Sequence, residues 1–358
     1  MSAQRTVLFH PLNHIGLGHI NRLSVIALAL HELDNNVRTP FVVEEAAHIL
    51  LDALSLPYVP LPSSHAMGDS AAWAAWTESE RSALQVQISL SILRAIAPQV
   101  VVFDFLPNPT FADCVVKSEI PIVLCLREMR DLASYLAHAG VLLKQVSLIV
   151  IPHPEGTIHL PQELAVKSCF VGQIVRRATR MAIPEGDLGT PQIVISGGGG
   201  GYPGTAEFYN LAMKAIANLR ASYPALRAQL IAGPLFRDWL LLQPVDGITV
   251  IPFEADTNSR FAEADLVVCQ AGYNTVAELE QIGTKTLLVP AERLWDDQFA
   301  RADRAAREQR NFRVFLGRTP VELANMAAEL LREGIPNPTV IRPEGGINAA
   351  RLIYKMVR

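Results

Sequence analysis

Three glycine-bearing segments carry side chains suited to holding an anion and moving a proton. The first is Gly16-Leu17-Gly18-His19, with Arg22 one helical turn further on. Two glycines let the backbone turn tightly and approach a ligand closely. An imidazole at the following helix start suits proton transfer at neutral pH, and Arg22 suits an anion. The plainer reading is a structural turn with His19 exposed, although Ser, Thr or Asp would cap such a helix better. The second segment is Ser196-Gly197-Gly198-Gly199-Gly200-Gly201. Its consecutive glycines present a row of N–H donors that can cradle a pyrophosphate; the other reading is a flexible linker. The third runs from Ala264 to Ala300. It holds Gly272, a helix opening at Asn274 and Thr275, Glu278 one turn in, and Asp296, Asp297 and Gln298 beyond Pro290. Helix-start N–H groups attract anions, and Glu278 can accept hydrogen bonds from a sugar diol. The combination suits a nucleotide with a phosphate, a ribose and something attached beyond the phosphate.

Other chemistries fit less well. No Gly-Lys-Ser/Thr follows the glycine run, so it is not a nucleoside-triphosphate P-loop. The first turn has Asn21 where the dinucleotide fingerprint has its last glycine, and no ribose-binding acid stands about twenty residues on, so a nicotinamide cofactor is disfavoured. Asp296 and Asp297 diverge at a helix start, so no metal is expected. Thr275-x-x-Glu278 also reads as a capping box, and Asp296, Asp297 and Gln298 as caps of the next helix. Asp104 ends an apolar strand at the same sheet edge as His19. It is the candidate partner that fixes the imidazole tautomer, or else a turn cap before Pro107.

These residues need a scaffold of strands and helices. Strands are expected at Thr6–Phe9, Val37–Val43, Tyr58–Pro60, Val100–Phe103, Ile120–Leu126 and Leu148–Ile151, with helical stretches between them. The runs are continuously apolar rather than alternating, as parallel strands covered on both faces are. The polar segment Arg176 to Pro191 breaks the pattern, and strand–helix alternation then restarts at Gln192. The expected division is 1–175, a linker at 176–190, a second domain at 191–345, and a last helix at 346–358 that packs back toward the first domain. Half the 358 residues are hydrophobic, enough for two buried cores. A net charge of −4 provides no basic field for nucleic acid. Cys114, Cys125, Cys169 and Cys269 are scattered, as buried thiols of a reducing compartment would be. With no leader-like start and no run of about twenty apolar residues, a cytoplasmic protein is expected, with peripheral membrane contact left open.

The residues Ser196–Gly201, Pro252-Phe253, Gly272–Glu278, Pro290 and Asp297-Gln298 resemble, in order and spacing, the C-terminal domain of family 28 glycosyltransferases. Gly16-x-Gly18-His19-x-x-Arg22 and Phe103-Asp104-Phe105 look like a group of predicted glycosyltransferases, and the first pattern also occurs in a nucleotide-sugar hydrolase. The resemblance implies an α/β GT-B fold, with two Rossmann-like, doubly wound parallel-sheet domains facing a cleft. It implies an inverting, metal-independent glycosyltransferase with no cofactor beyond a nucleotide-sugar donor, usually a UDP-sugar, and a small-molecule or lipid acceptor. Carried over by residue, the backbone at Phe253 meets the base and Glu278 the ribose. Ser196, Gly197, Asn274 and Thr275, with Gly198 and Gly272 beside them, hold the phosphates. Asp297 and Gln298 touch the sugar; Asp297 departs from the family's usual amide there. His19 matches the catalytic base. Trp73 and Trp76, in Leu61–Thr77, would face the acceptor or else belong to a helix start, and Arg127, Glu128 and Arg130 follow a strand on the same edge. A hydrolase that uses water as acceptor, or a non-catalytic nucleotide-sugar binder, would share these residues.

Overall fold

The computed structural model describes residues 5–12, 16–44, 48–62, 73–178, 190–243, 245–333 and 343–358. The chain divides into two compact units. One comprises Met1–His14, His19–Val175 and Pro343–Arg358; the other comprises Ile15–Gly18 and Arg176–Arg342.

The first unit is built on seven parallel strands: β1 (Val7–Pro11), β2 (Phe41–Val43), β3 (Tyr58–Pro60), β4 (Val100–Asp104), β5 (Ile122–Cys125), β6 (Val146–Ile151) and β7 (Ser168–Phe170). Their order is β3-β2-β1-β4-β5-β6-β7. The helices are α1 (Gly18–Leu33), α2 (His48–Ala53), α3 (Glu78–Ile96), α4 (Pro109–Lys117), α5 (Leu132–Gln145) and the short α6 (Gln162–Ala165). Every residue of β1 and β4 is buried, which is why these strands read as unbroken apolar runs. Each fully buried Val, Leu or Phe side chain there contributes about 1.5–3 kcal/mol. Local chemistry sets the helix starts. Thr77 and Glu80 close a capping box on α3, and Asn108 caps α4 ahead of a proline in its first turn. Such caps are worth about 1 kcal/mol each.

The second unit repeats the plan with β8 (Gln192–Ser196), β9 (Arg227–Ile231), β10 (Ile248–Ile251), β11 (Leu266–Cys269), β12 (Thr286–Leu288) and β13 (Phe312–Val314). All are parallel, in the order β10-β9-β8-β11-β12-β13. Its helices are α7 (Thr205–Leu219), α8 (Thr257–Glu263), α9 (Tyr273–Ile282), α10 (Gln298–Glu308) and α11 (Pro320–Arg332). α7 and α11 cover one face of the sheet with Tyr209, Met213, Ile216, Leu323 and Leu330; Phe261, Val276, Leu279 and Ala302 cover the other. The last helix, α12 (Gly345–Met356), belongs to the first unit. Gly345 N donates to Gln173 O at 3.1 Å, and Tyr354 Oη donates to Asp34 Oδ2 at 2.9 Å.

In both sheets the strand order reverses beside the first strand, between β1 and β4 and between β8 and β11. Ligands of open α/β sheets bind outside the strand ends at such switch points.

Some expectations change. The stretch Phe236–Leu242, which reads as a helix in sequence, forms only a 3₁₀ turn, Trp239–Leu241. Leu240 is fully exposed there. α6, β7 and α8 are too short for periodicity to reveal. Of the expected linker, residues 179–189 lie outside the described residues, as do 63–72 of the tryptophan-bearing segment.

Candidate active site

In the first unit, α1 starts at Gly18 and places His19 in its first turn. His19 and Arg22 therefore lie on one helix face. β4 pairs with β1, and Asp104 stands opposite Pro11, so its carboxyl group emerges where the strand order reverses. The three side chains meet there. His19 Nδ1 lies 2.9 Å from Asp104 Oδ1. Arg22 donates from Nε to Asp104 Oδ2 at 2.7 Å and from Nη2 to Asp104 Oδ1 at 3.0 Å. Asp104 is completely buried and Arg22 is 1% exposed, while the His19 side chain keeps 17% of its surface. Arg22 therefore does not await an anion from solution; it is the counter-ion of Asp104. Nor is Asp104 a turn cap, since Asn108 caps α4.

Electrostatics orders the proton positions. Burial acts to raise the Asp104 pKa, but the charges of Arg22 and His19 and their hydrogen bonds outweigh it and hold the carboxyl below its usual range. An ionised Asp104 accepts the Nδ1 proton, which leaves Nε2 with its lone pair. Arg22 Nη2 lies 3.4 Å from the same Nδ1, and among the described residues no hydrogen bond reaches Nε2. Burial lowers the His19 pKa below 6.5 against the upward pull of Asp104, and Arg22 and Arg127 lower it further. The imidazole is thus neutral at pH 7 and able to take a proton at Nε2.

The wall behind it is built on Phe105 and on Tyr135, which no motif revealed. Phe105 has φ of +66°, a costly conformation for a bulky side chain. It is held by Phe105 N to Cys125 O at 3.1 Å and by Tyr135 Oη to Phe105 O at 3.0 Å. The Phe105 ring stacks on Tyr135 at 5.0 Å and on His19 at 5.7 Å. Trp73 and Trp76 pack edge to face at 5.4 Å, with Trp76 largely exposed. Arg127 is buried and donates to Glu128 O at 3.0 Å.

In the second unit, Ser196 ends β8 opposite Cys269 of β11, and its Oγ accepts from Gly198 N at 3.3 Å. Gly198 and Gly200 have φ of +71° and +84°. This alternation of handedness turns N–H groups to one side, and a side chain at Gly200 would collide with Ala232 O. The loop is therefore a packed turn, not a linker. Across the switch point, α9 begins with Gly272 as its N-cap and no side chain capping it. First-turn N–H groups of a helix have no intrahelical partner, so this start is open to an anion. Thr275 is the third helical residue and makes no hydrogen bond from its side chain to the described residues. The capping box read at Thr275 and Glu278 is not formed, because the helix opens two residues earlier. Glu278, 3% exposed, instead faces Arg176, whose Nε lies 3.4 Å from Oε1. Arg176 also donates to Ala255 O, and to Thr257 Oγ1 at 2.9 Å. Asn274 Nδ2 donates to Gly18 O at 3.0 Å.

The sugar-side residues are partly committed to the fold. Asp297 caps α10 by accepting from Ala300 N at 3.0 Å. Gln298 accepts from Ala291 N at 3.1 Å, and Asp296 pairs with Arg301 at 2.7 Å. The capping role read as an alternative is therefore present for Asp297. Phe253 follows β10 and is half-buried. Among the described residues no three His, Cys, Asp or Glu side chains are grouped to hold a metal, and no helix is long and apolar enough to cross a membrane.

Two Rossmann-like units with parallel sheets of this order define a GT-B fold, the architecture of many glycosyltransferases. Across 98% of this chain and 99% of that one, the crystal structure of Acinetobacter baumannii MurG superposes with a TM-score of 0.60 at 16% identity. Residues 237–335 of the chain match the model of the glycosyltransferase family 28 C-terminal domain. Relatives include proteins named UDP-N-acetylglucosamine--N-acetylmuramyl-(pentapeptide) pyrophosphoryl-undecaprenol N-acetylglucosamine transferase. That of Aromatoleum aromaticum is 42% identical over 101 residues, 27% of this chain and 28% of the relative. That of Sinorhizobium medicae is 30% identical over 222 residues, 57% of this chain and 56% of the relative. The matches thus span from about a quarter to just over half the length of these relatives.

Proposed function

We propose that this chain is an inverting, metal-independent glycosyltransferase. It moves a sugar from a nucleoside-diphosphate sugar, with UDP as the carrier, to the hydroxyl of a small-molecule or lipid-linked acceptor. The observation that carries this reading is the 2.9 Å contact of His19 Nδ1 with the buried Asp104. It leaves Nε2 as a base for an incoming alcohol. In the reaction, the acceptor oxygen forms its bond to the anomeric carbon from the face opposite the phosphate. The bond from that carbon to the phosphate oxygen breaks, and its electron pair stays with the nucleoside diphosphate. The acceptor proton passes to His19 Nε2, and Asp104 stabilises the imidazolium. The glycine loop and the uncapped start of α9 meet the charge that grows on the leaving diphosphate, and Glu278 holds the ribose. The named activity of the relatives supports both the UDP carrier and a lipid-linked acceptor. An acceptor of that kind would bring a cytoplasmic protein to a membrane surface without a spanning helix.

His19→Ala tests the assignment. Transfer should fall by about a hundredfold or more, while calorimetric UDP affinity stays at the wild-type value. Unchanged turnover would remove His19 from the reaction. Incubation of wild type with donor alone separates transfer from hydrolysis: rapid stoichiometric release of free sugar would make water the acceptor.

A further inference from the structure

Arg293 lies in the loop between β12 and α10 and is 8% exposed. Among the described residues it has no carboxylate partner. Nη1 donates to Glu292 O at 3.0 Å, and Nη2 donates to Gln270 Oε1 at 2.8 Å. Nε is buried and unpartnered. The guanidinium lies 4.1 Å from the centroid of the Tyr202 ring, and Tyr202 directly follows the glycine run. Asp296, whose charge acts on Arg293 from the same loop, is paired with Arg301. Burial pulls the Arg293 pKa below its ordinary value, and the upward pull of Tyr202 and Asp296 does not offset it.

Gln270 ties this cation to both anion-binding features of the unit. Its side chain accepts from Arg293, its N–H donates to Ser196 O at 3.2 Å, and its carbonyl accepts from Gly272 N at 2.9 Å. One residue therefore links a buried guanidinium, the foot of the glycine loop and the N-cap of α9. A buried Arg whose Nε has no partner, and whose nearby acid is already paired with another Arg, is suited to an anion held at the glycine loop and the start of α9.

We propose that Arg293 binds the terminal phosphoryl group of the donor diphosphate and receives the charge that develops there as the sugar leaves. This rests on the donor reading above and adds a residue to it. When the anomeric carbon–oxygen bond breaks, its electron pair remains on the terminal phosphate oxygen, and a spare guanidinium N–H donates to that oxygen. Stacking on Tyr202 holds the planar fork in place while the charge builds.

The test compares wild type, Arg293→Gln and Arg293→Lys by calorimetry with UDP, UMP and inorganic pyrophosphate, with each variant's melting temperature checked. The Gln variant should bind UDP and pyrophosphate about tenfold or more weakly and UMP nearly as wild type does. The Lys variant, which keeps charge but loses the fork, should fall between. Should the Gln variant not fold, the Lys variant must still weaken UDP more than UMP. Equal losses for UDP and UMP, or no loss, would overturn the assignment of Arg293. Wild type that binds none of the three probes would overturn the donor reading itself.

Discussion

Replacing Asp104 with Asn leaves shape almost unchanged and removes one charge from a fully buried site. The carboxylate accepts from three donors, at 2.7, 3.0 and 2.9 Å. A carboxamide has one acceptor oxygen and one NH₂ group, so whichever way it turns, an NH₂ faces a donor. Arg22, 1% exposed, is left with an uncompensated charge. Removing one partner of a buried pair costs about 3–5 kcal/mol. At about 2–4 °C per kcal/mol for a unit of this size, the melting temperature should drop by about 6–20 °C. The chemical effect is separate. An amide NH₂ toward His19 favours the tautomer with the proton on Nε2, which closes the nitrogen needed as base. Turnover should fall roughly a hundred- to ten-thousand-fold, while UDP affinity, a property of the other unit, persists. The assay is UDP release with donor and an acceptor that wild type uses, beside a thermal melt and UDP calorimetry. Turnover close to wild type with an unshifted melt would refute the argument that this carboxylate orients the base.

Three further outcomes follow from the geometry of the two units. The folded state holds His19 below 6.5, so the unfolded chain binds that proton more readily. Stability should therefore fall as pH drops below about 6.5, with a second loss further into acid as Asp104, also held low, is protonated. The acid limb of kcat/KM should have an apparent pKa below 6.5, and a limb at neutral pH or above would contradict this placement. Glu278→Ala should weaken UDP binding about tenfold and leave pyrophosphate binding unaltered; equal affinity for UDP by calorimetry would restrict Glu278 to pairing with Arg176.

Much of the scaffold could be read from the chain because its strands are buried on both faces and bounded by Gly, Pro or Asn. The meeting of His19 and Asp104 followed from a topological rule: both stand at carboxyl ends of strands that flank the reversal of a doubly wound sheet. Arg22 was misread because an Arg one turn into a helix looks the same in sequence whether it faces solvent or a buried acid. The capping box at Thr275 failed for a similar reason, since Gly272 allows the helix to open earlier than the motif suggests. The Phe103-Asp104-Phe105 pattern includes Phe105 but gives no sign of its backbone conformation. That left-handed backbone is imposed by Tyr135, thirty residues on, and by the neighbouring strand. Arg293 sits in a loop, where periodicity says nothing; only its burial, its unpartnered Nε and its bond to Gln270 make it notable.

The return of α12 to the first unit has a consequence for how this protein is made. Ala349, Ala350 and Ile353 are wholly buried there, yet the ribosome reaches them only after it has produced every strand of the second sheet. Order of synthesis and order of completion are therefore inverted. The lobe that begins first closes last, and during translation it waits, with part of its hydrophobic surface open, for a segment more than three hundred residues downstream of its first strand.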